Sequence, residues 1–105
     1  MKLVRLETDL VDIVRSDLKR LKNCWFFKTQ EVSRRGVPDY IICLRGNFFA
    51  LELKRDDKQA INFEDKYPLQ HYTLESIKKA GGLAYVITPG NWDFIYSALV
   101  EIDKA

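Results

Sequence analysis

The stretch from Gly36 to Lys54 constrains the fold more than any other part of the chain. Two apolar runs flank the dipeptide Gly46-Asn47. This is a recognised two-residue turn, because glycine tolerates the positive φ that a type II′ turn demands. The sequence therefore predicts a β-hairpin with one strand from Asp39 to Arg45 and a second from Phe48 to Lys54.

A turn at this place also predicts which residues face each other across the hairpin. The expected pairs are Arg45 with Phe48, Cys43 with Ala50, Ile41 with Glu52, and Asp39 with Lys54. Strand side chains alternate between faces, so Asp39, Glu52 and Lys54 emerge together. The opposite face is the expected core face, and its side chains are Tyr40, Ile42, Leu44, Phe49, Leu51 and Leu53.

Two carboxylates and one ammonium group thus meet at the open end of the hairpin. Such a group costs free energy if it is buried without partners. The residues alone leave two interpretations open. One is a structural Lys54–Asp39 ion pair with Glu52 in solvent, and the other is a functional site.

The spacing of these charges resembles a known signature. P-D at positions 38–39, followed by E-L-K at 52–54, is similar to the catalytic motif of the PD-(D/E)XK nucleases. G-V-P-D at 36–39, L-Q at 69–70 and I-K-K-A-G-G at 77–82 narrow the resemblance to the virus-type replication-repair nuclease (VRR-NUC) family. The resemblance covers nearly the whole chain and is to the small stand-alone, phage-like members.

The resemblance implies a set of site residues. Carboxylates suit Mg²⁺, which takes oxygen ligands. The implied metal ligands, with Mn²⁺ as a substitute metal, are Asp39, Glu52, Glu7 and the backbone carbonyl of Leu53. Lys54 would orient the attacking water or stabilise charge on phosphorus, and Gln70 would position Lys54 and that water. Asp9 is the alternative to Glu7 as the acid of the first helix.

Apolar periodicity predicts the remaining elements. The predicted segments are a helix over 3–22, a strand over 24–32, a loop over 55–66, a helix over 68–80, a strand over 83–88 and a helix over 91–100 capped by Asn91. This order predicts an α/β domain with a central mixed sheet, helices on its faces and a C-terminal helix. The resemblance implies the corresponding restriction-endonuclease-like αβββαβ core.

Composition sets broad limits. The 105 residues suit a single domain, 1–105, and the 47% apolar and 30% charged content is typical of a soluble globular protein. No run is long enough to span a membrane and no signal peptide opens the chain, so we expect a cytoplasmic protein, in the host cytoplasm if it is viral. Cys24 and Cys43 have no metal-binding spacing and are expected to be buried free thiols.

Two basic pairs are candidates for DNA contacts. Arg34 and Arg35 directly precede the expected site, where a phosphate backbone would pass. Arg55 and Lys58 lie in the segment that follows E-L-K, which is long enough to cover the site or to touch a substrate. The net charge of +2 permits nucleic-acid binding without requiring it.

The resemblance implies a Mg²⁺-dependent endonuclease that acts on branched DNA in replication, repair or recombination, similar to a Holliday-junction resolvase. Alternatives are a general or restriction-like DNA endonuclease, a non-catalytic nucleic-acid-binding module, and a purely structural interaction domain. The stand-alone members imply a homodimer. Aromatic residues expected to remain outside the core would form its interface, with Phe48, Trp92, Phe94 and Tyr96 as candidates.

Overall fold

A computed structural model describes residues 7–29 and 36–105. Its elements, in chain order, are α1 (Glu7–Leu18), β1 (Cys24–Lys28), β2 (Tyr40–Leu44), β3 (Asn47–Leu53), α2 (Asp57–Ala60), α3 (Phe63–Lys66), α4 (Pro68–Lys79), β4 (Leu83–Ile87) and α5 (Trp92–Lys104). The predicted α/β class is confirmed, and the order is compatible with the αβββαβ core. Among the described helices, none combines the length and apolarity needed to cross a membrane.

The four strands form one mixed sheet in the order β1-β2-β3-β4. β1 pairs with β2 and β2 pairs with β3, both antiparallel, whereas β3 and β4 are parallel. A parallel pair needs a crossover connection, which α2, α3 and α4 provide. The predicted central mixed sheet is therefore confirmed.

The register of the β2–β3 hairpin differs from the prediction by two residues. Leu44 faces Asn47 and Tyr40 faces Leu51, so the two-residue loop is Arg45-Gly46 rather than Gly46-Asn47. Both loop residues have positive φ, 48° at Arg45 and 83° at Gly46, which is the pattern of a type I′ turn. The predicted cross-strand pairs, including Asp39 with Lys54, are wrong.

The predicted faces of the hairpin are correct despite the wrong register, because a shift of two residues leaves each side chain on the same face of the sheet. The larger core lies between one face of the sheet and helices α1 and α5. Its buried residues include all six predicted core-face side chains of the hairpin. The remaining described members are Leu10, Val14, Leu18, Leu21, Ile87, Trp92 and Leu99.

The second face of the sheet is divided into two parts. Over β3 and β4 it is covered by α3 and α4, and this covered half contains the buried residues Ala50, Phe63, Leu74 and Ala84. Over β1, β2 and the start of β3 the same face carries exposed or half-buried side chains. We call this part the open half, and its residues are Trp25, Phe27, Ile41, Cys43 and Phe48.

The segment over 55–66 is not a loop throughout, as predicted, because it contains the short helices α2 and α3. The carboxylate of Asp56 caps α2 by accepting a hydrogen bond from the backbone N–H of Gln59 at 3.0 Å. Phe63 anchors α3 in the covered half of the sheet. Each helix is about one turn long, so neither produces a periodic apolar pattern.

The observed ends of three other elements differ from the predicted ends by a few residues. α1 ends at Leu18, short of the predicted residue 22, and β1 ends at Lys28. The predicted parts of these elements at 3–6 and 30–32 lie outside the described residues. α5 continues to Lys104, past the predicted end at residue 100.

Asn91 occupies the N-cap position of α5 but makes no side-chain cap hydrogen bond. Its side-chain amide instead joins the end of β4 to the helix. The Oδ1 atom accepts from the backbone N–H of Thr88 at 2.8 Å, and Nδ2 donates to the carbonyl of Val86 at 2.9 Å. The predicted capping role of Asn91 is thus corrected to that of a strand–helix brace.

Two of the four aromatic residues expected outside the core are exposed, Phe48 at 42% and Phe94 at 78%. Trp92 is fully buried, and its indole N–H donates to Asp17 at 2.7 Å. Tyr96 packs against the same core. The prediction is wrong for Trp92, because a carboxylate on α1 satisfies the polar end of the ring and lets it enter the core.

Candidate active site

Glu52 and Lys54 lie at the end of β3 and are both buried, with 4% and 7% of their surfaces exposed. The Lys54 Nζ atom is 3.5 Å from a carboxylate oxygen of Glu52. The backbone N–H of Lys54 donates to the carbonyl of Ile87 at 2.8 Å, which ties the strand end to β4. Two charges so far from water are tolerated because each has an opposite charge beside it.

Aromatic rings form the other side of the Lys54 environment. The Nζ atom lies 3.7 Å from the ring centroid of Tyr67 and 5.9 Å from that of Phe63. The two rings contact each other with centroids 5.3 Å apart. The sequence prediction missed both residues, since nothing in their spacing relates them to Lys54. The only local signal was that two aromatic residues precede the Gln70 helix.

Asp39 immediately precedes β2 and reaches the end of β3 through its side chain. Its Oδ2 atom accepts a hydrogen bond from the backbone N–H of Leu53 at 2.7 Å. Because Tyr40 faces Leu51, the next step along the hairpin places Asp39 beside Glu52. The structure therefore brings the two predicted carboxylates together on neighbouring strands.

Lys28 is a basic neighbour of Asp39 that the sequence prediction missed. Its Nζ atom is 3.8 Å from Asp39 Oδ1 and donates to the carbonyl of Thr29 at 3.1 Å. The Thr29 hydroxyl donates to the carbonyl of Pro38 at 2.6 Å and also contacts the carbonyl of Asp39. These bonds fix the entry of the chain into β2 and hold the Asp39 carboxylate toward β3.

The backbone carbonyl of Leu53 is suitably directed to act as a further oxygen donor. In a strand, the N–H and C=O of one residue point to the same side. The N–H of Leu53 points to the Asp39 carboxylate, so its carbonyl points to the same side of β3. The predicted Leu53 ligand thus lies on the side of the strand that carries Asp39.

Gln70 lies in the first turn of α4, which begins at Pro68 as predicted. It is half-buried and lines a cavity of about 310 Å³ together with Gly36, Tyr67, Pro68 and Leu69. Within the described part of the chain, the contacts of Lys54 are with Glu52, Tyr67 and Phe63, and Gln70 is not among them. Tyr67, which lines the same cavity as Gln70, is the residue of this cavity whose ring contacts the lysine.

The first helix was predicted to supply a further acid to the site, either Glu7 or Asp9. α1 begins at Glu7, but the Glu7 side chain lies outside the described part of the structure. Asp9 is half-buried on the same turn. The Tyr40 hydroxyl donates to the carbonyl of Val11 at 3.0 Å, which places the first turns of α1 at the end of the sheet where Asp39 lies.

The structure describes two of the four predicted DNA-binding residues. Arg34 and Arg35 lie outside the described residues. Arg55 directly follows Lys54, is exposed, and pairs with Asp56 at 3.3 Å. Lys58 is exposed on α2. Neither Arg55 nor Lys58 enters the buried site, so both remain available to solvent near its edge.

The chemistry of the donor set fits a hard divalent cation, because Asp39, Glu52 and the Leu53 carbonyl are all oxygen donors. Among the described side chains, no group of three His, Cys, Asp or Glu residues could hold a metal ion. Two carboxylates plus a backbone oxygen is nevertheless a set that Mg²⁺ accepts, with water completing the coordination. The side chain of Glu7, the third predicted acid, lies outside the described residues.

Comparisons of the chain with models of protein families, with curated proteins and with solved structures find no match.

Proposed function

We propose that this protein is a Mg²⁺-dependent endonuclease that hydrolyses phosphodiester bonds in DNA. The observation that carries the proposal is the meeting of Asp39 and Glu52 on neighbouring strands, with Lys54 buried beside Glu52. Three charged groups, Asp39, Glu52 and Lys54, and the backbone oxygen of Leu53 converge at one end of the sheet. Buried charges in this arrangement suit phosphoryl chemistry, in which negative charge must be stabilised.

Asp39, Glu52 and the Leu53 carbonyl would hold the metal ion, and Glu7 would add a third carboxylate. Bound Mg²⁺ supplies a Lewis acid and lowers the pKa of an attacking water. Lys54 would place its ammonium beside the scissile phosphate and stabilise the charge that develops on it. Gln70, at the mouth of the neighbouring cavity, would orient the substrate or the water. Arg34, Arg35, Arg55 and Lys58 would contact the DNA backbone.

The proposed substrate is branched DNA, and the proposed active form is a homodimer that resembles a Holliday-junction resolvase. The feature that favours a dimer is the open half of the sheet. Trp25, Phe27 and Phe48 are 62%, 50% and 42% exposed and lie on one face. A contiguous exposed apolar surface is typical of a protein interface. A two-fold dimer would set two active sites at a fixed separation on one junction.

A second candidate function has its own support. The Lys54–Glu52 and Lys28–Asp39 contacts, at 3.5 and 3.8 Å, form a chain of alternating charges across the sheet end. Such a network is also what a non-catalytic interaction domain would use to stabilise its sheet. Metal binding separates the two functions, because a structural network has no reason to bind Mn²⁺ or Mg²⁺ selectively.

The test is cleavage of synthetic linear, flap and four-way DNA in Mg²⁺, in Mn²⁺ and in excess chelator. We expect metal-dependent cleavage that is fastest on branched substrates. Asp65→Asn is the matched control, because it removes an exposed carboxylate from the nearby helix α3. DNA binding without cleavage in either metal would favour the non-catalytic module, and cleavage of linear DNA at the same rate would favour a general endonuclease.

A further inference from the structure

Lys54 is a buried residue, and the surroundings of its ammonium group are unusual for a charge. Only 7% of the residue is exposed, and the closest carboxylate oxygen is 3.5 Å away, beyond the usual hydrogen-bond distance. An ammonium group has three N–H donors and is strongly hydrated in water. Glu52 supplies the opposite charge, but at this distance it replaces only part of the hydration that Lys54 loses.

The face of the Tyr67 ring is the group in the correct place. Its centroid is 3.7 Å from Nζ, well inside the distance of about 6 Å at which an aromatic face attracts a cation. Phe63 stands farther away, at 5.9 Å, and serves as a second wall. Because the negative face of a ring interacts more strongly with a desolvated cation, burial makes this contact more favourable than it would be on the surface.

The structure also fixes Tyr67 in position. Its backbone N–H donates to the carbonyl of Phe63 at 2.8 Å, and its carbonyl accepts from the N–H of His71 at 2.9 Å. Pro68 follows directly and restricts the backbone of Tyr67. Phe63, which supports the ring, is packed into the covered half of the sheet. The ring is therefore held by both helices of the α3–α4 corner.

We propose that Tyr67 is a positioning residue that holds the Lys54 ammonium against Glu52 through a cation–π contact. The inference rests on the proposed function only for its catalytic consequence, that Lys54 must be held in place to meet the scissile phosphate. The contact itself is a property of the folded chain. It assigns to Tyr67 the role of placing Lys54 that the resemblance implied for Gln70.

The first experiment measures the contact without any DNA. A double-mutant cycle combines Tyr67→Leu with Lys54→Met, and urea unfolding gives the equilibrium constant of each variant. We expect Tyr67→Leu to raise the unfolding constant about five- to thirtyfold more when Lys54 is present than when methionine replaces it. Equal effects in the two backgrounds would overturn the proposal, because the ring would then act by packing alone.

The second experiment tests whether the negative charge density on the face of the Tyr67 ring matters. It does not require the fold to tolerate leucine at position 67. Tyr67→Phe keeps the aromatic face and should retain both cleavage and stability. Phenylalanine with one, two or three fluorine atoms at position 67 keeps the shape but weakens the negative face. We expect the maximal cleavage rate to fall stepwise with each fluorine while the affinity for Mn²⁺ stays constant. The same series at Phe63 is the matched control and should give a shallower dependence, because its ring is farther from Nζ.

A cleavage rate that is insensitive to fluorination at position 67 would overturn the positioning role. If the unmodified chain cleaves no DNA in either metal, the proposed function fails, and the double-mutant cycle still decides whether Tyr67 holds Lys54. Tyr72→Leu serves as a further control, because Tyr72 is a 69% exposed ring on α4 that makes no contact with the lysine.

Discussion

The two halves of the second sheet face differ in the size of the side chains that the strands present. In the covered half, Ala50 and Ala84 are small, and α3 and α4 pack closely over them with Phe63 and Leu74. In the open half most side chains are large, Trp25 and Phe27 are at least half exposed, and Phe48 lies near Ile77 at the end of α4. Small residues allow a helix to approach a sheet, whereas an exposed row of large apolar residues is typical of a surface that contacts another molecule.

This difference in packing suits the two halves of the sheet face to different roles. The covered half ends at Glu52 and Lys54, where a dry environment strengthens each electrostatic contact and holds the charged groups in place. The open half borders the same site from the side of Asp39, with Phe27 on the strand that leads to Thr29. Chemistry would take place where the sheet is covered, and association would take place where it is not.

The largest effect that we expect is the loss of DNA cleavage when the carboxylates of the site are replaced. Asp39→Asn and Glu52→Gln keep the shapes of the side chains but remove the charges that a divalent cation needs. Cleavage of four-way DNA in Mg²⁺ should fall about a thousandfold or more, since metal stabilisation of the transition state amounts to several kcal/mol. Single-turnover cleavage measures the loss, and calorimetric titration with Mn²⁺ should show weakened binding in both variants.

Lys54→Met is the matched variant in the same experiment, because lysine is not a metal ligand. It should remove cleavage to a similar extent and leave Mn²⁺ binding intact. Near-normal cleavage by Asp39→Asn or Glu52→Gln, or a loss of Mn²⁺ affinity in Lys54→Met as large as in Glu52→Gln, would contradict the assigned roles.

A pair of phenylalanines tests the difference between the halves directly. Phe63 is 9% exposed and supports the Tyr67 ring, whereas Phe27 is 50% exposed on the open half. Phe63→Ala should lower the free energy of unfolding by about 3 kcal/mol, and Phe27→Ala by less than about 1 kcal/mol. Urea unfolding at low protein concentration, where a dimer is not populated, measures both. Equal losses would mean that the open half is part of the core of the monomer.

The sequence was sufficient to predict which side chains share a face, although the turn was assigned wrongly. Arg45 adopts a positive φ, which is uncommon for a residue other than glycine, so the loop Arg45-Gly46 was not the expected one. The resulting error of two residues left every side chain on its predicted face. It did alter the site, because Asp39 lies beside Glu52 and not opposite Lys54.

What the sequence could not predict depends on contacts between distant residues. Trp92 is buried because Asp17, 75 positions earlier in the chain, accepts its indole N–H. Tyr67 and Phe63 enclose Lys54 only because α3 and α4 cross over the sheet end. Neither relation has a local pattern. The motif residues Asp39, Glu52 and Lys54 could be predicted because their spacing along two paired strands determines where they meet.

The two cysteines offer a chemical comparison of the core face with the open half. Cys24 packs against the larger core, and burial, with a smaller effect from Asp103, raises its pKa to about 11. Cys43 is exposed, against the prediction of a buried thiol. Only the thiolate reacts with a disulfide reagent, so at pH 8 the exposed Cys43 should react faster than Cys24, whose thiol is held protonated by burial. The rate at Cys24 should continue to rise as the pH approaches 11.

Cys43→Ser and Cys24→Ser identify which thiol gives each phase of the reaction. A fast thiol that remains in Cys43→Ser would contradict the assignment. A fast reaction of Cys43 that slows as the protein concentration rises would sharpen the comparison, because it would show the open half being covered by a second copy of the chain.

The open half should also determine the oligomeric state. Trp25 and Phe27 stack with ring planes 9° apart and centroids separated by 6.4 Å, and both rings are at least half exposed. Replacing both with serine should weaken a dimer at least about tenfold, because central aromatic side chains contribute most of the binding energy of an interface. Light scattering over a range of protein concentrations measures the change.

Phe94→Ser is the control, since Phe94 is 78% exposed on α5 and lies away from this face. A monomer mass for the unmodified chain, even with four-way DNA bound, would remove the resolvase interpretation.

The smallest expected effects concern DNA affinity, and they ask which side of the site the DNA backbone follows. Arg34 and Arg35 precede β2 in the sequence, whereas Arg55 and Lys58 follow β3. Each phosphate contact that is lost lowers the slope of log affinity against log salt by about one unit. Arg55 already pairs with Asp56, so its charge is partly satisfied within the protein. We therefore expect alanine at 34 and 35 to lower the slope by about two units, and alanine at 55 and 58 by about one.

Fluorescence anisotropy with a labelled four-way junction, in Ca²⁺ to prevent cleavage, measures both slopes. If the slope changes only for the 55 and 58 pair, the DNA backbone follows the segment after β3 and not the segment before β2.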